Sequence, residues 1–123
     1  MSRRFRATPR CISQSRHWVL AQAERQGMAA DTRRTVELLT SELVTNAVKY
    51  GPPGGVITVE TFTGASGFSV SVSDDSPEHP VLRNPPSTGP GGRGVQLVSR
   101  LASRWGVDSH PANGKSVWFQ VAL

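Results

Sequence analysis

Apolar positions recur along this chain in two different periods, and the change from one to the other near residue 56 divides it. Before that point Ile12, Val19, Leu20 and Ala23 fall on one face of a 3.6-residue period. This predicts a first helix over 13–26, with Gly27 as a left-handed stop. Asp31 then reads as the N-cap of a second helix, in which Val36, Leu39, Leu43, Ala47 and Tyr50 make a core stripe up to the Gly51-Pro52-Pro53-Gly54-Gly55 break. Leu38, Glu42, Thr45, Asn46 and Lys49 lie on the neighbouring face. The second helix is therefore expected to have a core side and a site side.

Beyond residue 56 the period is two. Val56 to Thr63 reads as a strand, residues 64–67 as a turn, and Phe68 to Asp74 as a second strand of strict alternation. Asp74 shares parity with Phe68, Val70 and Val72, so it either belongs to a strand-end turn, Asp74-Asp75-Ser76-Pro77, or points where an unpartnered charge is costly. Residues Pro77 to Gly94 hold five prolines and four glycines and read as a loop or lid. Val95 to Ser103 is expected to be a helix opened by Gly92 to Gly94, whose amides and positive dipole end suit a phosphate. Trp105 to Ser109, a tight Asn113-Gly114 turn and Ser116 to Leu123 complete the chain as a hairpin.

Composition narrows the class. At 123 residues the chain has the length of one domain able to bury a core without staples. Its single cysteine, Cys11, excludes an internal disulfide framework and fits a reducing compartment, so a cytoplasmic location is expected. No apolar run approaches the ~20 residues of a membrane span, and no apolar region follows Arg3-Arg4 as a targeting signal requires. Four of the five net positive charges sit on Arg3, Arg4, Arg6 and Arg10. The expectation is a basic N-terminal arm over 1–11 and one nearly neutral domain over 12–123. Such an arm can touch phosphates, but no helix or ribbon of the chain shows the basic and aromatic interleaving of a nucleic-acid reader.

The chemistry concentrates on the second helix. Two side chains four residues apart differ by only ~40° around a helix and ~6 Å along it, so Glu42 and Asn46 address the same space. Alone such a pair is as well explained by a solvated helix face. Gly114-Lys115-Ser116 imitates the end of a phosphate-binding P-loop, but Ser109 stands where the first glycine is required and a strand follows. His17, His79 and His110 lack the spacing of a metal site, no Gly-x-Ser-x-Gly elbow occurs, and Cys11 has no base near it in sequence. Trp18, Trp105 and Trp118 read as core or rim.

In order, these elements resemble the ATPase superfamily shared by type II topoisomerases, heat-shock chaperones, mismatch-repair proteins and histidine kinases. Within it the chain is most similar to the small anti-sigma-factor serine kinases. Glu42-Leu43-Val44-Thr45-Asn46-Ala47 looks like that family's N box, Val72-Ser73-Asp74 its adenine box, and Gly92-Arg93-Gly94-Val95-Gln96-Leu97-Val98 its lid glycine motif. The resemblance implies an α+β fold, a two-layer sandwich in which helices cover one face of a mixed, mainly antiparallel sheet (the Bergerat fold).

It also implies ATP and Mg²⁺ as cofactors, with roles carried residue by residue. Asn46 would ligate Mg²⁺. Glu42 would be the catalytic base. Asp74 would accept the adenine amino hydrogen bond and Ser116 would support it. Gly92, Gly94 and Val95 would offer backbone to the phosphates, with charge from Arg93 or Lys49. Two glycines usual after the adenine-box aspartate are absent, since Asp74 is followed by Asp75-Ser76-Pro77-Glu78. The implied function is an anti-sigma factor with serine/threonine kinase activity toward an antagonist protein. Its partners would be a sigma factor or that antagonist, with no direct sequence-specific nucleic acid, no membrane, and room for a homodimer. The alternatives are a non-catalytic ATP-binding partner switch and a basic adaptor without nucleotide.

Overall fold

The computed structural model describes residues 1–51, 54–74, 100–110 and 114–123. Along the chain these form β1 (Ser2–Arg6), α1 (Pro9–Arg25), α2 (Ala30–Tyr50), β2 (Val56–Gly64), β3 (Gly67–Asp74), β4 (Arg104–His110) and β5 (Gly114–Val121). The strands make one sheet in the order β1-β2-β3-β5-β4, and each of these pairings is antiparallel.

The expected two layers are present because the period-two residues have one apolar face to bury. Phe5, Ile57, Val59, Phe68, Val70, Val72, Phe119 and Val121 are buried together with Val19, Ala23, Val36, Leu39, Leu43, Val44 and Ala47 from the helices. α2 packs on β3 and β5, and α1 on β1 and β2. No described helix packs on the other face, where Ser69, Ser71 and Ser73 of β3 alternate with those core residues.

The helices start and stop for local reasons. α1 begins four residues earlier than the apolar pattern predicts, because Pro9 occupies a first-turn position where its missing N–H costs nothing. It ends where expected, with Gly27 at φ 67° just beyond the Gln26 cap. α2 is capped by Ala29, not by Asp31, which lies in the first turn and makes no capping bond. Asp31 instead pairs with Arg34 at 3.4 Å, a contact on an exposed helix face. Its carboxylate still complements the positive end of the dipole.

Two further expectations change. Tyr50 is 45 % exposed and does not belong to the core stripe, whereas Thr40 and Val44 are fully buried in it. Tyr50 is the last residue of α2. Residues 2–6, read as part of a basic arm, form the edge strand β1, paired with β2 from Ser2 opposite Glu60 to Arg6 opposite Val56. Only Phe5 of this strand is buried, so its apolar signal is a single residue. Arg3 lies over the Phe5 ring, 5.3 Å from its centroid.

The predicted helix over Val95 to Ser103 falls mostly outside the described residues. Its end is seen as helical Arg100 and Leu101, followed by Ala102 packed against the core. No described helix is long and apolar enough to cross a membrane.

Candidate functional site

Asp74 ends β3 on the covered face and is only 6 % exposed. The alternation of β3 carries it there, in phase with Phe68, Val70 and Val72, so the exposed-turn reading does not hold. Two glycines from different elements approach it. A Cβ on Gly51, the C-cap of α2, would lie 3.9 Å from the Asp74 Cβ. A Cβ on Gly114, the first residue of β5, would fall 2.6 Å from the Asp74 Oδ1 and would also strike its carbonyl oxygen. Gly114 adopts φ 85°, which a side chain would strain in any case. The end of α2, the end of β3 and the start of β5 thus converge on one carboxylate, and the fit depends on two missing side chains.

Asn46 and Glu42 lie about one turn and two turns back from the end of the same helix. Both are half-buried, between the buried stripe of Leu39, Leu43 and Ala47 and the exposed outer surface. Thr45, on the same side, turns its hydroxyl to the Ser41 carbonyl at 2.6 Å, and Ser41 does likewise to Glu37 at 2.9 Å. These hydroxyls satisfy themselves on the helix, which leaves the carboxylate and the carboxamide as the groups able to address a ligand. Lys49, one turn beyond Thr45, is exposed at the last turn of α2.

Ser116 is placed differently from the expectation. β5 pairs with β3 so that Ser116 stands opposite Ser73, and their hydroxyl oxygens are 2.7 Å apart. Ser73 is out of phase with Asp74, so this bond lies on the face the helices do not cover. Ser116 is therefore not brought together with Asp74. The β5 residue on the side of Asp74 is Lys115, in phase with Val117, Phe119 and Val121, all packed toward the core. Counting parity back from the closing strand's apolar residues would have found it.

Gly92, Arg93, Gly94 and Val95 lie outside the described residues. Among the described residues no cluster of three or more His, Cys, Asp or Glu could hold a metal ion by itself. A hard cation carried on phosphates needs only one or two protein oxygens, and the amide oxygen of Asn46 is a donor of that chemistry. A groove of about 340 Å³ lies at the opposite end of α2, lined in part by Asp31, Thr35, Leu101 and Val121. It contains none of the predicted site residues.

The chain matches the family described as histidine kinase-like ATPase domain over residues 5–121, and it belongs to that family. ATP, with Mg²⁺ as its usual companion, is the ligand that such membership implies. Two solved structures share the fold. The histidine kinase domain from the Erythrobacter litoralis EL346 blue-light activated histidine kinase is 24 % identical with a TM-score of 0.60, covering 78 % of this chain and 46 % of that one. A structure of the Erythrobacter litoralis EL346 blue-light activated histidine kinase is 28 % identical with a TM-score of 0.61, covering 77 % and 31 % respectively. This chain thus spans less than half the length of these kinases. Among curated proteins none matches it.

Proposed function

We propose that this chain is an ATP-binding regulatory protein that phosphorylates a serine of an antagonist protein and acts as an anti-sigma factor. The observation that carries this reading is a half-buried Glu42–Asn46 pair on the helix whose C-cap, Gly51, closes on the buried Asp74. Bound magnesium-ATP would supply the transferable phosphoryl group and neutralise its charge. Asp74 would accept a hydrogen bond from the base, Asn46 would hold the metal through its amide oxygen, and Lys49 would add charge beside the phosphates. Glu42 would accept the proton of the incoming serine hydroxyl, as a positioned base does.

The absence of glycines after Asp74 favours one second reading, a partner switch that binds ATP without transferring phosphate. An intact Glu42 favours transfer. The partner is expected against α1 and the start of α2, where Arg16, Arg25, Arg33 and Arg34 lie outside the core. Three of these arginines already have acids within reach: Arg16 faces Glu37 at 3.9 Å, Arg33 faces Glu24 at 3.8 Å and Arg34 faces Asp31. An acidic partner would therefore exchange ion pairs on this surface instead of meeting bare cations.

Titration of the protein with ATP and Mg²⁺, followed by labelled ATP and candidate antagonists, tests the whole reading. Glu42→Ala should keep ATP binding and lose transfer by ~10²-fold or more. Wild type that shows no binding at millimolar ATP would leave only the adaptor reading.

A further inference from the structure

We propose that Lys115 is a second base-reading residue beside Asp74, so that the site offers a purine one hydrogen-bond acceptor and one donor side by side. This rests on the nucleotide reading above and deepens it. The register of β3 and β5 sets Val72 opposite Val117 and Ser73 opposite Ser116, and carried one residue further it would set Lys115 across from Asp74, both in phase with the core side chains of their strands. Residues directly opposite in an antiparallel pair have Cβ atoms about 5 Å apart on one face of the sheet. That face is fixed independently, because the Ser73–Ser116 hydroxyl contact occupies the other one. The approach of Gly114 to the Asp74 Oδ1 shows that β5 begins against this carboxylate. Lys115 is also partly buried, unlike Lys49, which is exposed.

The chemistry of the pair follows from what each group can do. A carboxylate only accepts hydrogen bonds and an ammonium only donates them. Adenine carries an amino donor next to a ring-nitrogen acceptor on its pairing edge. Asp74 serves the amino group and has nothing to give the ring nitrogen, which Lys115 can supply. A serine in that place was expected, but Ser116 pairs with Ser73 on the other face, and the alternation of β5 gives the helix-covered side to Lys115. Lys115 is thus a specificity-determining residue for the base, distinct in position from Lys49 at the end of α2.

The test is calorimetric titration of the full chain with adenosine, AMP, ADP and ATP. Lys115→Met should weaken all four by the same factor, roughly tenfold or more, as for loss of a charge-assisted hydrogen bond. Lys115→Arg, which keeps a cationic donor, should recover most of the affinity, and Ser116→Ala should leave it unchanged. Should Lys115→Met not fold by circular dichroism, acetylation of Lys115 in the wild type gives the same answer, since adenosine should slow it. Unchanged affinity in Lys115→Met, or acetylation indifferent to adenosine, overturns the assignment. A loss that grows with the number of phosphates overturns it too and moves Lys115 to the phosphate end. Wild type that binds none of the four ligands removes the nucleotide reading itself.

Discussion

Ser73 and Asp74 are neighbours on one strand, yet they belong to different environments. Ser73 faces the side of the sheet on which no described helix packs, where its hydroxyl pairs with that of Ser116. Asp74 faces the helix side and is almost fully buried beneath the end of α2. A hydroxyl on an open face can bond to a neighbour or to water at little cost. A buried carboxylate must be compensated, and the structure brings the backbone of Gly51 and Gly114 up against it. The difference shows that the covered face makes the site: burial turns an ordinary strand-end aspartate into a group with strict requirements.

The largest way to break this contrast is to damage the covered face. Phe119→Ala should cost ~3–5 kcal/mol of stability by opening a cavity under fully buried Phe119, whereas Ser71→Ala on the open face should stay within ~0.5 kcal/mol. Chemical denaturation of the two variants measures both. If they lose comparable stability, the open face is covered by something.

Next in size is the site itself. Asp74→Asn should weaken magnesium-ATP binding by ~1–3 kcal/mol, the cost of mismatching a buried polar partner. Ser116→Ala should give up ~1 kcal/mol of stability or less with its contact to Ser73 and keep ATP affinity. A Ser116→Ala variant that loses ATP affinity as Asp74→Asn does would contradict the assignment of the two residues to opposite faces.

The smallest effect concerns Cys11, buried in the first turn of α1, whose thiol pKa is raised by burial and lowered less by a backbone hydrogen bond at Thr8. The folded chain therefore holds the thiol proton more tightly than the unfolded chain. The sign follows: this contribution is complete at neutral pH and shrinks as pH rises past the ordinary thiol value near ~8.5. Alkylation of Cys11 in the native protein should be much slower than in denaturant at the same pH. Equal rates would show that the helix layer opens readily.

The sequence made the helix pair, the β2–β3 hairpin and the phase of Asp74 legible, because each rests on several apolar residues in one period. It did not reveal β1, whose residues are mostly arginine and serine and whose only buried member is Phe5. Charged residues on an edge strand protect it from pairing with other chains, and the same charges hide its period. Ser116 was placed by its chemistry, but the choice between Ser116 and Lys115 is a matter of parity, and one step along a strand reverses the face. Asp31 has the composition of a cap without the geometry, since the helix begins before it at Ala30. The half of the site that depends on Gly92 to Val95 lies outside the described residues.

The pairing of β1 with β2 also bears on how this chain is made. Arg4 stands in a ladder opposite Thr58, so β1 has no partner in this sheet until more than fifty further residues have been made. α1 and α2 lie between them and can pair with each other first, through local contacts that form fast. Folding would then run from helix hairpin to sheet, with β1 among the last elements to settle. The arginines of β1 would keep that waiting strand soluble in the interval.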